Sequence, residues 1–212
     1  MGNQDRREEL LYIALELFAT KGYHQTKVSD IVKQAGVAQG TFYWHFKSKE
    51  EIALEIVEKG KENLLDAVHQ GYRQQFGSTQ DMIESSSNFM KKIFYFAKEN
   101  KSLMIFLLIK GLGADLLIRN AIVGTFTSIE NAFKQNIDRA IALGMLETSN
   151  MVDLKANMLT SLVIGTITKW LFGPSFDVDH TPTLSVEEVT REMVQFEFFG
   201  LYGQKEGTYD NH

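Results

Sequence analysis

Apolar residues recur along the chain at helical intervals, and glycines and polar clusters cut the pattern into segments of very different length. Leu10, Ile13, Ala14, Leu17 and Phe18 fall at i, i+3, i+4, i+7 and i+8, the stripe of an amphipathic helix over residues 5–20 that Gly22 ends. Ile31, Val32 and Ala35 give a second, shorter helix one buried face. Gly36 stops it, since glycine takes the positive φ of a tight helix exit, and Val37 plugs the corner. From Ala38 a third helix sets Phe42 and Phe46 four residues apart on its inner side. Ser48 and Glu51 then frame a capping box: the hydroxyl takes the amide three residues on, and the carboxylate reaches back. The helix it opens carries apolar positions from Ile52 to Val68 and is expected to reach about residue 75. Gly60 and Gly71 mark places for a kink or an early end, and residues 76–78 break the run.

Four further helical stretches and one very apolar segment follow. Residues 82–97 are apolar over much of their circumference, and residues 102–112 almost throughout, up to Gly111 and Gly113. Residues 115–143 read as one long helix closed by Gly144. Residues 151–172 and 185–202 form the last two, parted by Gly173-Pro174 and a polar loop over 177–183. With two prolines in 212 residues, nearly the whole chain is free to be helical. The fold class expected is all-α, a small N-terminal helical head followed by a larger helical bundle.

The outer face of the third helix is the anomaly. Gln39, Gly40, Thr41, Tyr43, Trp44 and His45 leave two aromatic rings pointing away from Phe42 and Phe46. One reading packs Tyr43 and Trp44 on a neighbouring helix. The other is a helix-turn-helix whose second helix enters a DNA major groove. There Gln39 would bond a base edge, preferentially adenine, and Gly40 would let the backbone come close. Thr41, Tyr43 and His45 would donate to phosphate oxygens, and Trp44 would offer an apolar plane to a thymine methyl or a sugar. Charge favours this second reading. Between Lys21 and Lys49 five lysines stand against one aspartate, in a chain whose net charge is −5.

Composition narrows the alternatives. A hydrophobic content of 44%, with 15 Phe and 8 Met, is ample for a core. The chain has no cysteine, which excludes disulfides, thiolate metal sites and cysteine catalysis and fits a reducing compartment. No basic-then-apolar leader opens it, and its longest unbroken apolar run, residues 103–109, is far short of a bilayer span. A cytoplasmic protein without a membrane partner is expected. Gly111-Leu112-Gly113 is a lone fragment of a phosphate loop, and the five histidines lack metal-ligand spacing. Neither a cofactor, a metal nor an enzymatic activity is expected.

The stretch from Val28 to Glu51, with Ala-Gly-Val, Gly-Thr, Tyr, His-Phe and Lys-Ser-Lys-Glu at these spacings, closely resembles the DNA-binding signature of the tetracycline-repressor (TetR) family. It departs from that signature at Ala38, where a capping serine is common, and at Ser29, where some members carry a base-reading arginine. The resemblance implies a homodimeric regulator with residues 1–50 as DNA-binding head, residues 51–203 as effector-binding and dimerisation domain, and a frayed tail over 204–212. The DNA-binding set would be Lys27, Gln39, Gly40, Thr41, Tyr43, Trp44, His45 and Lys49, with Lys49 holding phosphate beside the amino end of its own helix. For the larger part it implies a pocket for a small apolar or amphipathic effector, with Phe89, Ile93, Phe96, Met104, Phe106, Phe126 and Phe133 as candidate lining. A two-fold interface on the last two helices would use Ile164, Ile167, Trp170, Leu171, Met193, Phe196 and Phe199. The function so implied is a ligand-responsive repressor on a palindromic operator in double-stranded DNA, with the helix after Ser48 as its mechanical link. The alternative is a DNA-binding activator or architectural protein without an effector.

Overall fold

The computed structural model describes residues 3–69 and 77–202, and its regular elements are all helical. In chain order these are α1 (Asn3–Thr20), α2 (Val28–Ala35), α3 (Gln39–His45), α4 (Lys49–His69), α5 (Thr79–Glu99), α6 (Lys101–Ile105), α7 (Leu116–Ala142), α8 (Val152–Phe172) and α9 (Val186–Phe199). Between α6 and α7 the chain passes through a π-helical turn, Phe106–Lys110, and a 3-10 turn, Gly111–Gly113; another 3-10 turn, Gly200–Tyr202, follows α9. The fold is all-α. The expected run of the fourth helix to residue 75, with Gly71 and the break at Phe76, lies outside the described residues, as does the expected tail over 204–212.

The chain gathers into two compact units, Met1–Asp66 with Ala97–Ile129, and Ala67–Phe96 with Glu130–His212. These are drawn differently from a cut at residue 50, because α4 buries Ile52, Ala53, Ile56 and Val57 and most of its length goes with the head.

In the first unit the α1 stripe is sealed: Leu10, Ala14 and Phe18 have no exposed surface. The α1 helix packs on α2, α6 and the π-helical turn, and α2 on α3. Phe18 stacks on Phe106 with ring centroids 5.4 Å apart. Arg7 pairs with Glu55, and Glu8 with Lys59 at 2.6 Å, which pins α1 to α4. Gly36 ends α2 at φ 65°, and the amide of Val37 donates back to Val32 O at 3.0 Å.

Two details of α4 differ from the sequence expectation. Ser48 Oγ does accept from the Glu51 amide at 3.1 Å, but the Glu51 carboxylate reaches one residue further back, to the Lys47 amide. The helix also runs unbroken through Gly60. A Cβ there would come within 2.9 Å of Leu103 Cδ1, so this glycine answers a close approach and not a kink.

The second unit is built on Met90, Phe94, Phe133 and Phe172, all nearly or fully sealed. Phe89 meets Phe133 edge-on at 5.3 Å, and Phe94 meets Trp170 at 5.4 Å. The Trp170 indole N–H donates to Leu184 O at 2.9 Å, so the ring is buried with its polar atom satisfied. Ser185 and Glu188 cap α9 reciprocally, at 3.2 and 2.8 Å.

Candidate nucleic-acid interface and ligand cleft

The α3 helix is two turns long and makes no side-chain bond at its start, since Ala38 has no hydroxyl to offer. Its place is set by Phe42 and Phe46, 0% and 1% exposed, with ring centroids 5.8 Å apart. Sinking those two rings forces the other positions outward. Gln39 and Gly40 are exposed, Tyr43 is 52% and Trp44 68% exposed, and Thr41 and His45 are half-buried at the edges. Trp44 and His45 meet edge-on at 4.7 Å, which gives the outer face some rigidity of its own. Of the two readings of this face, the structure therefore gives the outward one. Lys27 stands exposed at the start of α2, where its backbone N–H donates to Asp30 Oδ2 at 3.0 Å. That bond lowers the Asp30 pKa, and Lys21 adds to the shift.

Lys49 is placed otherwise than expected. Its Nζ donates to Tyr23 O at 2.8 Å and Thr26 O at 2.9 Å, and lies 4.1 Å from the centre of the Tyr23 ring. Loss of solvent lowers its pKa, against the pull of Asp115. Tyr23 is itself buried and its phenol is pushed up to about 12, first by desolvation and then by Asp115, whose charge and acceptance of a hydrogen bond from the hydroxyl both favour the protonated phenol. His24 Nε2 sits 3.1 Å from Gly113 O. Thr26 Oγ1 donates to Gly22 O at 2.9 Å. The short loop that delivers α2 is thus tied at Tyr23, His24 and Thr26. Sequence reasoning missed Tyr23, His24 and Asp115 in this role; nothing in their spacing signals it.

In the second unit a cleft opens between the start of α5, the end of α7, the turn after it, and α9. Its apolar wall includes Met82, Phe89, Phe133, Ile137, Leu159 and Phe198, and its polar lining is Ser85, Ser86, Asn136, Arg139 and Glu197. About 150 Å³ is free inside. Ser86 Oγ donates to Glu197 Oε2 at 2.5 Å. Desolvation raises the Glu197 pKa, and the Ser86 hydrogen bond partly offsets it. Of the pocket positions expected from sequence, Phe89 and Phe133 line this cleft. Ile93 is buried, Phe96 is half-buried off the lining, and Met104, Phe106 and Phe126 belong to the first unit, where Met104 and Phe106 are core.

The interface candidates also divide. Ile167, Trp170, Leu171 and Met193 are buried within their own unit, Ile164 and Phe199 are half-buried, and Phe196 is 43% exposed. The opposite face of α8 carries Leu154 and Met158, 53% and 61% exposed, in line with exposed Gly165. Among the described residues no group of three His, Asp or Glu is placed to hold a metal, and no helix is long and apolar enough to cross a membrane.

An all-helical chain whose short second helix of a helix-turn-helix shows its polar and aromatic face to solvent belongs to the class of DNA-binding transcriptional regulators. Residues 10–56 match the model of the bacterial regulatory proteins of the tetR family. Over those residues the chain carries the DNA-binding domain of the TetR family of transcriptional regulators. It is 27% identical over 179 residues to the HTH-type transcriptional regulator AcrR of Shigella flexneri, covering 82% of this chain and 83% of that protein. With the fatty acid metabolism regulator protein of Bacillus subtilis it shares 25% over 163 residues, 77% of this chain and 82% of the relative. Among solved structures, the fatty acid degradation regulator FadR of Bacillus halodurans has the same fold at a TM-score of 0.76, with 18% identity over 94% of this chain and 97% of that one. FadR of Bacillus subtilis, solved in complex with stearoyl-CoA, follows at 0.73, with 22% identity over 92% and 98%.

Proposed function

We propose that the protein is a homodimeric repressor that binds a palindromic operator through paired α3 helices and is released by a small apolar or amphipathic molecule. The observation that carries this reading is the outward face of α3, with Tyr43 and Trp44 exposed while Phe42 and Phe46 are sealed beneath them. Gln39 reads a base edge from the first turn of α3. Thr41, Tyr43, His45 and Lys27 hold phosphate, and Trp44 packs on a sugar or a thymine methyl. Lys49 acts one step back, by fixing the loop that delivers α2. A second copy covers the apolar outer stripe of α8 together with Phe196, Phe199 and Ile164, so that two heads address two half-sites.

The effector enters the cleft lined by Phe89 and Phe133. Its free volume is close to that of cavities that hold one small aromatic ring, so a larger guest spreads the walls as it binds. That widening is passed to the head by α4 and α7, helices that each contribute residues to both compact units. It needs a coupling of ~1–3 kcal/mol to matter. The relatives support the regulator. The FadR complex with stearoyl-CoA supports an amphipathic effector.

The test is selection of bound duplexes from a randomised pool by the full-length protein, followed by a salt titration. A two-fold symmetric consensus and a steep fall of affinity with salt are expected. Indifference to every duplex at low ionic strength would remove the proposal. Sequence-specific binding that no amphiphile shifts would favour the activator or architectural reading.

A further inference from the structure

The helix-turn-helix is gripped on either side by a cation lying on an aromatic ring. Before α2, Lys49 Nζ lies 4.1 Å from the centre of the Tyr23 ring, and after α3 the Arg7 guanidinium carbon lies 4.8 Å from the centre of the Phe46 ring. Phe46 is the residue that closes α3: its amide donates to Phe42 O at 2.9 Å, and its ring is 1% exposed. The same Arg7 guanidinium donates from Nη1 and Nη2 to the two carboxylate oxygens of Glu55 on α4. Lys59, one turn further along α4, stands 3.9 Å from Glu55 and 2.6 Å from Glu8. Lys49 and Glu55 belong to one helix, so both grips end on α4. The neighbouring Arg6 pairs instead within α1, with Glu9 at 2.5 Å.

We infer that Arg7 is a positioning residue for operator recognition, which sets the angle between α3 and α4 by holding Phe46 and Glu55 at once. This rests on α3 being the recognition helix, and it names a residue outside the DNA-facing surface on which sequence preference depends. The α3 helix has seven residues and no side-chain cap, too short to be stable without its surroundings. Burial of Phe42 and Phe46 decides which face of α3 points outward, but apolar burial is non-directional and leaves the tilt of the helix open. A planar guanidinium supplies the missing direction. Its two parallel N–H bonds orient it on the carboxylate, and its charge attracts the face of the ring. Base readout is sensitive to such tilt, because hydrogen bonds to base edges weaken steeply off line. Attraction to phosphate falls only slowly with distance. A loosened α3 therefore loses sequence preference before it loses affinity for DNA at large.

The experiment uses the full-length protein with two probes, the consensus duplex selected from the randomised pool and a duplex of the same length and composition in scrambled order. Affinity for each is measured across a salt series for the wild type, Arg7→Met and Arg7→Lys, with melting temperatures alongside. Methionine keeps an apolar stem without the charge, and lysine keeps the charge without the planar fork. In Arg7→Met the preference for the consensus duplex should fall about tenfold, the scale of one mismatched base pair. Affinity for the scrambled duplex and the salt slope should stay as in the wild type. Arg7→Lys should recover melting temperature but only part of the preference, since an ammonium cannot hold both oxygens and the ring in one plane. If Arg7→Met does not fold, Glu55→Gln takes its place and should lose preference in the same way. Equal losses on both duplexes would overturn the inference and reduce Arg7 to a contact that stabilises the fold. A salt slope lower by about one would overturn it by placing Arg7 on a phosphate. An unchanged preference would overturn it outright. A wild type that does not distinguish the two duplexes would overturn the reading of α3, and this inference with it.

Discussion

An alanine methyl at Gly40 would meet nothing within 4 Å, so the fold gives no reason for glycine in the first turn of α3. Glycine there costs ~1 kcal/mol of helix stability relative to alanine. A site that accepts this cost without an internal contact points to a surface arriving from outside. Gly40→Ala should therefore raise the melting temperature of the free protein and weaken operator binding, a pair of opposite changes that a purely structural glycine would not give. Its neighbour makes a different prediction. Gln39→Ala should leave stability alone and relax the preference at one base pair of each half-site by ~1–3 kcal/mol, read from binding to a set of single-site operator variants. Tyr23 supplies a pH dependence. Its phenol is pushed from 10.0 to about 12 in the folded chain. The unfolded state therefore loses its proton first, and the stability this group contributes is complete below pH 10 and is lost as pH rises towards 12. Alkaline unfolding followed for the wild type and Tyr23→Phe should show the difference between the two curves shrinking across that window.

At the scale of elements, the helices were legible wherever a single periodicity governed them. The α1 stripe, the Gly36 stop and the Phe42–Phe46 pair all follow from spacing alone, and the structure seals the residues the spacing chose. Legibility fails where a helix is apolar on more than one side. In α8 the sequence offers Leu154, Met158, Ile164, Ile167, Trp170 and Leu171 without saying which stripe faces its own unit. The structure buries the set containing Ile167 and Trp170 and exposes Leu154 and Met158. Contacts between distant segments are equally silent. Gly60 reads as a weak point until Leu103 is placed against it, and Lys49 reads as a free cation until its ammonium is found on Tyr23 O and Thr26 O. This last contact changes what Lys49→Met should do. Removing the ammonium leaves two carbonyls to find other partners and should cost ~1–3 kcal/mol of stability. Operator affinity should fall because the loop slackens, while the salt dependence of binding stays nearly as it was. Lys27→Ala should behave in reverse, sparing the melting temperature and reducing the salt slope by about one counterion. A flattened slope and an intact melting temperature in Lys49→Met would return that side chain to the phosphate.

For the whole molecule, the question is what hides the outer stripe of α8. Leu154 and Met158 lie one turn apart at 53% and 61% exposure, and Phe196 on α9 is 43% exposed. Gly165 adds a place on the same helix where a Cβ would meet nothing within 4 Å, so another helix can approach closely there. Exposed apolar side chains at these positions are unfavourable in water, and a two-fold partner would cover the α8 stripe by presenting the same stripe in return. Met158→Glu tests this without disturbing either core, because the side chain it replaces already faces solvent in the single chain. In a monomer the substitution is nearly neutral. In a dimer it buries like charges against one another across the axis, and sedimentation should show the assembly shifted towards single chains at unchanged helical content. Operator binding should then weaken much more than the affinity of one head for one half-site, since two linked heads act at high effective concentration and two separate ones do not. Ile167→Ala makes the matching control. Its side chain is 5% exposed, so the loss should appear as a lower melting temperature of roughly 2–4 kcal/mol equivalent, with the dimer retained wherever the chain is folded. If Met158→Glu sedimented as the wild type does, the partner would have to sit elsewhere on the molecule, and the spacing of the half-sites would have to be derived from a different axis.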